Sequence, residues 1–314
     1  MSQQKKIATR DSYGRELLEL GRVHPEIVVL DADLAESTRT GMFRKEFPDR
    51  HIDCGIQEAN MVCVAAGLAQ SGMVPFCSSF AMFVAGRAYE QIRTSVAYPH
   101  ANVKICATHA GISVGEDGAT HQCNEDIALM RTLPGMTIIN PGDDVEGRAA
   151  VRAAYEMDGP VYLRLGRLAV PVVNDEKTYR FEVGKGTLLR DGSDVTIVAS
   201  GLMVATAMDA YELLEASGIH AQVVNIHTIK PIDAELVTEC AARTGRVITV
   251  EEHSIIGGLG SAVAEVLCEK QPAKLKRLGI PDVFGISGPG DVLLHYYGLD
   301  GEGIAKAARE FVEE

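Results

Sequence analysis

Residues 108–122 read THAGISVGEDGATHQ: two histidines, two carboxylates and three glycines in fifteen positions. Imidazole changes charge near neutral pH and carboxylates exchange protons or accept hydrogen bonds, so the segment holds the groups of acid–base and hydroxyl-binding chemistry. His109 and His121 are twelve positions apart, and the glycines between them let the backbone double back so that both rings can face one cavity. No third Cys, His or carboxylate stands at ligand spacing, so the pair is not read as a metal site. The competing reading is a surface loop rich in turn residues. It predicts no convergence of other polar groups on the same place.

The elements that must position these groups are visible as short apolar runs. In the first half they fall at 26–33 (EIVVLDAD), 51–56 (HIDCGI), 74–79 (VPFCSS), 103–109 (VKICATH), 136–142 (MTIINPG) and 161–167 (VYLRLGR). Near-continuous runs of this kind fit a parallel sheet covered by helices on both faces. Helical patterns lie between them at 58–72, with Gly72 as a stop, at 80–98 and at 144–157. Residues 173–194 are charged and turn-rich and read as a linker. Strand patterns resume at 194–201, 221–227 and 246–252, with helices near 203–216 and 233–243. The expectation is two consecutive α/β domains with mainly parallel sheets, residues 1–185 and 186–314, with no internal repeat.

In open α/β sheets ligands bind beyond the carboxyl ends of the strands. Asp31 and Asp33 close the first strand, Gly55, Ile56 and Glu58 follow the second, and Ser78 and Phe80 follow the third. His109 ends the fourth and Arg167 the last. Acids, histidines and arginines thus gather at one edge of one sheet, which favours a site over a decorated loop.

Composition narrows the function. Apolar residues make up 46% and charged residues 23% of 314, as in a globular protein with a sizeable core. No apolar run approaches the roughly 18 residues of a membrane span, and the start MSQQKKIATRDSYG lacks a secretory pattern, so a cytoplasmic location is expected. The seven scattered cysteines include no CxxC pair and read as reduced core thiols. A net charge of −13 argues against nucleic acid or an anionic membrane as partner. An anionic small substrate stays open where local Arg and His outweigh the global field.

The segments ATR at 8–10, DADLAES at 31–37, GIQE at 55–58, SFAMF at 79–83, THAGISVGEDGATHQ and LGR at 165–167 resemble transketolase in order and spacing. GEDG-x-THQ is the specific part. The resemblance runs from about residue 6 to the end and covers that family's pyrimidine-binding and C-terminal domains. More narrowly, the chain looks like the C-terminal subunit of a split transketolase. This implies transfer of a two-carbon ketol unit from a ketose phosphate to an aldose, as in the pentose phosphate pathway, with thiamine diphosphate as cofactor.

The resemblance also implies roles. In the family, the cofactor's aminopyrimidine removes the thiazolium proton once a carboxyl group hydrogen-bonds its far ring nitrogen, and Glu58 matches that glutamate. Phe80 and Phe83, three apart and expected on one helix face, match aromatics that line the pyrimidine. Asp33 and Ile56 match further residues of the cleft. His121 matches the residue at the ketose C1 hydroxyl and carbonyl, and Asp117 one that binds a sugar hydroxyl. His109, Arg10, Ser37 and Arg167 match the terminal-phosphate site, where the arginine fork donates bidentately. Each has a plainer reading as well: a first-turn glutamate, a packed aromatic pair, strand-end turn acids. Two departures stand out. Gly86 occupies a position where transketolases commonly carry tyrosine, with Tyr89 one turn later as a candidate replacement, and Ala110 stands where many have Asp.

The family holds the diphosphate through Mg2+ on a GDG motif followed by an asparagine pair, and this chain contains neither GDG nor NN. The resemblance therefore implies that a second polypeptide, an N-terminal transketolase subunit, carries that half of the site and the metal, in an α2β2 assembly. Three alternatives remain at this stage. One is the β subunit of another thiamine enzyme, of the 2-oxo acid dehydrogenase E1 or deoxyxylulose phosphate synthase type. The others are a NAD-dependent oxidoreductase using GGLGSAVAE at 257–265 as a dinucleotide fingerprint, and a non-catalytic relative.

Overall fold

The computed structural model describes residues 5–314. Seven strands form the first sheet, in the spatial order Thr228–Lys230, Thr137–Ile139, Val161–Arg164, Lys104–Thr108, Val74–Phe80, Ile27–Asp31 and His51–Asp53. Six of them run parallel, and Thr228–Lys230 closes one edge antiparallel to Thr137–Ile139. Alternate residues of each strand enter different cores, as the period of two requires. Ile27, Val29 and Phe76 pack with Tyr13, Leu17 and Ala150 from the helices Thr9–Val23 and Asp144–Glu156. Val28, Leu30 and Cys77 pack on the other face with Met61, Val62 and Ala65 of the helix Glu58–Gln70.

A second sheet runs Lys274–Ile280, Arg246–Ser254, Val195–Ala199, Ala221–Asn225 and Thr187–Arg190. Its first four strands are parallel and Thr187–Arg190 is antiparallel. The layout is the two-domain α/β arrangement read from the sequence.

Three local expectations are corrected. The 173–194 segment is not a free linker. Thr187–Arg190 is an edge strand, and Val173 and Asn174 donate backbone N–H groups to Asp143 Oδ2 at 2.8 and 2.7 Å. Tyr179 in the same segment donates to buried Glu146, which also accepts from Asn225 Nδ2 of the second sheet at 2.8 Å. Second, 80–98 is not one helix. Phe80 ends a strand, and two π-type turns, Met82–Arg87 and Ile92–Ala97, flank the short helix Tyr89–Gln91. Third, Cys63 and Cys268 are exposed, while Cys77, Cys106, Cys123 and Cys240 are buried. Among the described residues no helix is long and apolar enough to cross a membrane.

Candidate functional site

Strand Ile27–Asp31 lies between His51–Asp53, which follows it in the chain, and Val74–Phe80, which comes next. The order reverses there, and in such sheets the crevice beyond the carboxyl ends at the reversal is where ligands bind. Buried Asp31 fixes the first loop of that crevice. Its carboxylate accepts from Leu34 N, from Thr38 Oγ1 at 2.8 Å and from Thr40 Oγ1 at 2.9 Å. The loop so held carries Asp33, in left-handed backbone with φ 61°, and Ser37.

Glu58 opens the helix Glu58–Gln70 and is 2% exposed. Its Oε1 accepts from Ser79 Oγ at 3.2 Å, and Arg87 Nη1 lies 3.4 and 3.3 Å from its two oxygens. The Arg87 guanidinium rests over the Phe83 ring, 4.2 Å from its centroid. A buried carboxylate and a phenyl face therefore bracket a flat, delocalised hydrogen-bond donor. That is the shape and chemistry of an aminopyrimidine, so these residues fit the cofactor the fold implies.

His109 is 3% exposed, holds φ 56° and stacks on Phe80 with centroids 3.8 Å apart. Phe80 stacks in turn on Phe83 at 5.6 Å, and His121 meets Phe83 edge-on at 5.1 Å. His121 also lies edge-on to Phe80 at 6.3 Å, so both histidines are brought onto one aromatic pair. Although Phe80 and Phe83 do not share a helix, they do share a face, because a strand end and a wide turn put their rings in register. Burial first, then the charges of Arg10, Arg167, Arg39 and His121, push the His109 pKa down to about 3.

Arg10 Nη1 donates to His109 Nε2 at 3.0 Å and to the Ser37 carbonyl at 3.1 Å. Its Nε is buried with no hydrogen-bond partner among the described residues, a donor that an anion would satisfy. Arg167 donates to the Val114 carbonyl and reaches Glu116 at 3.5 Å. Arg10, Ser37, His109 and Arg167 are thus gathered, though Ser37 enters through its carbonyl. Asp117 is exposed at the N-terminal end of the turn Gly118–Thr120, and Ile56 is a 70% exposed apolar side chain at the sheet edge. The backbone N–H of exposed Asp33 donates to Asp53 Oδ1 at 3.1 Å. Asp33, Ile56 and Asp117 are exposed and do not join the cluster. Tyr89 turns its hydroxyl to Thr132 at 2.8 Å, so the side chain lying over Phe83 is Arg87 and not Tyr89.

The second domain braces the histidine segment. Ser113 N donates to Glu252 Oε2 at 3.2 Å, Gln122 Nε2 to the Ile286 carbonyl at 2.9 Å, and Ser287 Oγ to the Glu116 carbonyl at 2.7 Å. Gly111, at φ 81°, passes so close that a Cβ there would lie 2.4 Å from the Glu252 carboxylate. The GGLGSAVAE glycines have a different task from dinucleotide binding. The N–H groups of Leu259 and Gly260 at the helix start both donate to buried Glu251, at 2.7 and 2.9 Å. An internal carboxylate occupies the position a pyrophosphate would need.

Sequence reasoning missed Ser79, Arg87, Arg39 and Thr108. Thr108 Oγ1 bonds His109 Nδ1 at 2.9 Å, and its place next to the histidine was the only available signal.

The fold and the sequence that builds it are those of the transketolase family, to which this chain belongs. Residues 5–172 match the transketolase pyrimidine-binding domain and 184–304 the transketolase C-terminal domain. Within the family it aligns over nearly their whole length with chains named as C-terminal sections or subunits of transketolases. It is 52% identical over 303 residues to a Methanocaldococcus jannaschii chain named a transketolase C-terminal section, covering 96% of this chain and 95% of that one. It is 46% identical to a 6-deoxy-6-sulfo-D-fructose transketolase subunit from Clostridium sp., covering 97% and 94%. A solved split gene transketolase, described as an inactive β4 tetramer, superposes with a TM-score of 0.91 at 53% identity over 98% and 99% of the two chains. The two-subunit transketolase reading therefore stands over the dehydrogenase, synthase and oxidoreductase alternatives.

Proposed function

We propose that this chain supplies the pyrimidine-binding and sugar-binding half of a two-subunit transketolase, with residues 1–185 forming that half and 186–314 the C-terminal domain. An N-terminal subunit bearing GDG and NN motifs would complete an α2β2 enzyme in the cytoplasm, holding Mg2+ and the diphosphate of thiamine diphosphate. When bound, that cofactor supplies the nucleophilic carbon and electron sink for breaking and making the ketose C2–C3 bond.

This chain's residues would do the rest. Glu58 would share a proton with the far nitrogen of the aminopyrimidine, Phe83 and Phe80 would line its ring, and Asp33 and Ile56 would wall the cleft. His121 donates to the ketose carbonyl region and Asp117 orients a sugar hydroxyl. Arg10 and Arg167 hold the anionic end of the substrate, a sugar phosphate, and His109 and the Ser37 carbonyl set the pose of the Arg10 guanidinium there. The relative named for a 6-sulfo sugar also handles an anionic terminus, which agrees with a cationic pocket at that end.

One observation carries the reading: a carboxylate only 2% exposed faces a flat donor stacked on Phe83 at the strand-order reversal. Glu58→Gln, assembled with the partner subunit, is expected to lose at least about 100-fold in turnover, the scale of a general acid–base contribution. Its Tm should stay within a few degrees of wild type. Retained turnover would remove Glu58 from the mechanism.

A further inference from the structure

The contact between Arg87 and Glu58 is not demanded by packing. The Arg87 side chain is 53% exposed and has water to solvate it, yet it reaches inward across Phe83 to a carboxylate whose side chain is 2% exposed. Holding a long side chain in one pose costs rotamer entropy, which an ordinary surface ion pair barely offsets. Here a cation–π contact and two carboxylate contacts act together. The carrier segment is itself unusual. Arg87 ends the π-type turn Met82–Arg87, a wide turn of the kind that recurs at functional sites. At its neighbour Gly86 a Cβ would lie 2.4 Å from Met82 Cε, the far end of a flexible side chain.

We propose that Arg87 is a displaceable stand-in for the cofactor's aminopyrimidine. Its guanidinium is flat, stacks on the same phenyl face and donates N–H groups to the same carboxylate. In the unassembled chain it neutralises Glu58, so that a buried anion is never left without a counter-charge. Thiamine diphosphate, arriving with the partner subunit, takes over both contacts, and Arg87 swings to solvent. The site is thereby kept intact before assembly, at the cost of a competition that lowers cofactor affinity. This inference rests on Glu58 receiving the aminopyrimidine.

The test is the Kd of thiamine diphosphate with Mg2+, by calorimetry on the assembled two-subunit protein, for wild type, Arg87→Ala, Arg87→Lys and Glu58→Gln. Arg87→Ala is expected to bind between about 3- and 10-fold more tightly, the scale of a part-exposed ion pair with a cation–π contact. Arg87→Lys, which keeps the charge without the flat fork, should fall between the two. In a Glu58→Gln background, Arg87→Ala should change the Kd by less than about 2-fold, because the competing pair is already gone. Thiamine itself, followed by ligand-observed NMR, should bind the isolated Arg87→Ala chain more tightly than wild type. Equal or weaker cofactor binding by Arg87→Ala, with its Tm unchanged, would overturn the stand-in. Full turnover by Glu58→Gln would instead overturn the reading beneath it, so the two failures are told apart.

Discussion

His109 lies face to face with Phe80, ring centroids 3.8 Å apart and planes at 25°. A non-glycine residue at φ 56° is strained and persists only where its surroundings enforce it. Here the enforcement is the Phe80 face on one side and Arg10 and Thr108 at the two ring nitrogens. Arg10 can only donate, so Nε2 accepts, and the ring proton sits on Nδ1 and is donated to Thr108 Oγ1. The imidazole is neutral and fixed in one tautomer before any substrate arrives.

The pKa follows from that packing and gives the first prediction. With the folded value pushed down to about 3 and an unfolded value near 6.5, the unfolded chain takes up a proton first as pH falls. His109 therefore leaves stability untouched above about pH 6.5 and reduces it progressively below. In ¹⁵N imidazole NMR its two nitrogens should keep neutral Nδ1–H shifts from pH 8 to about 4. A titration midpoint between 6 and 7 would contradict this.

Arg10 carries the second. Its buried Nε, with no hydrogen-bond partner among the described residues, and its Nη1 bond to His109 give the cationic pocket a donor poised for an anion. Arg10→Ala is expected to raise KM for a phosphorylated ketose about 10- to 100-fold. That corresponds to the roughly 1.5–3 kcal/mol of a hydrogen bond to a charged group. KM for the same ketose without its phosphate should move less than about 3-fold, and an equal rise for both sugars would contradict the assignment.

The third concerns the joint between domains. Arg164 and Asp126 form an ion pair at 2.9 Å with side chains 2% and 0% exposed, and Arg164 also donates to the Glu252 carbonyl of the second domain at 3.1 Å. Removing one partner leaves a buried charge uncompensated, so Arg164→Met should cost about 3–5 kcal/mol in denaturant unfolding. Arg164→Met with Asp126→Leu should recover most of that loss. A cost below about 1 kcal/mol for the single change would show that water reaches the site.

Gly111 supplies the fourth. Its positive φ and its approach to Glu252 leave no room for a methyl group. Gly111→Ala is expected to destabilise by about 2 kcal/mol and to loosen the His109–His121 segment, raising sugar KM at least about 5-fold. Wild-type KM in this variant would mean that the second domain does not brace the site.

How much of this was legible in the sequence depended on burial. The strands around Ile27–Asp31, Val74–Phe80 and Lys104–Thr108 were readable because both of their faces are covered, which forces continuous apolar runs. Lys274–Ile280 was missed because KLKRLGI, at a sheet edge, carries three cations and breaks any such run. Thr187–Arg190 was hidden inside a charged, turn-rich stretch for the same reason. Glu58, His109 and His121 were legible through motif spacing. The Arg87–Glu58 contact was not, since it joins positions 29 apart through a π-type turn that no helical period announces. The helical period over 80–98 failed at the same turn.

The most direct measurement is calorimetric titration of thiamine diphosphate with Mg2+ into this chain alone and into an equimolar mixture with its N-terminal partner. The account predicts at most millimolar affinity and no ketol transfer for the chain alone, with micromolar or tighter binding and full turnover for the mixture. Tight binding with full turnover by the purified chain alone would contradict it.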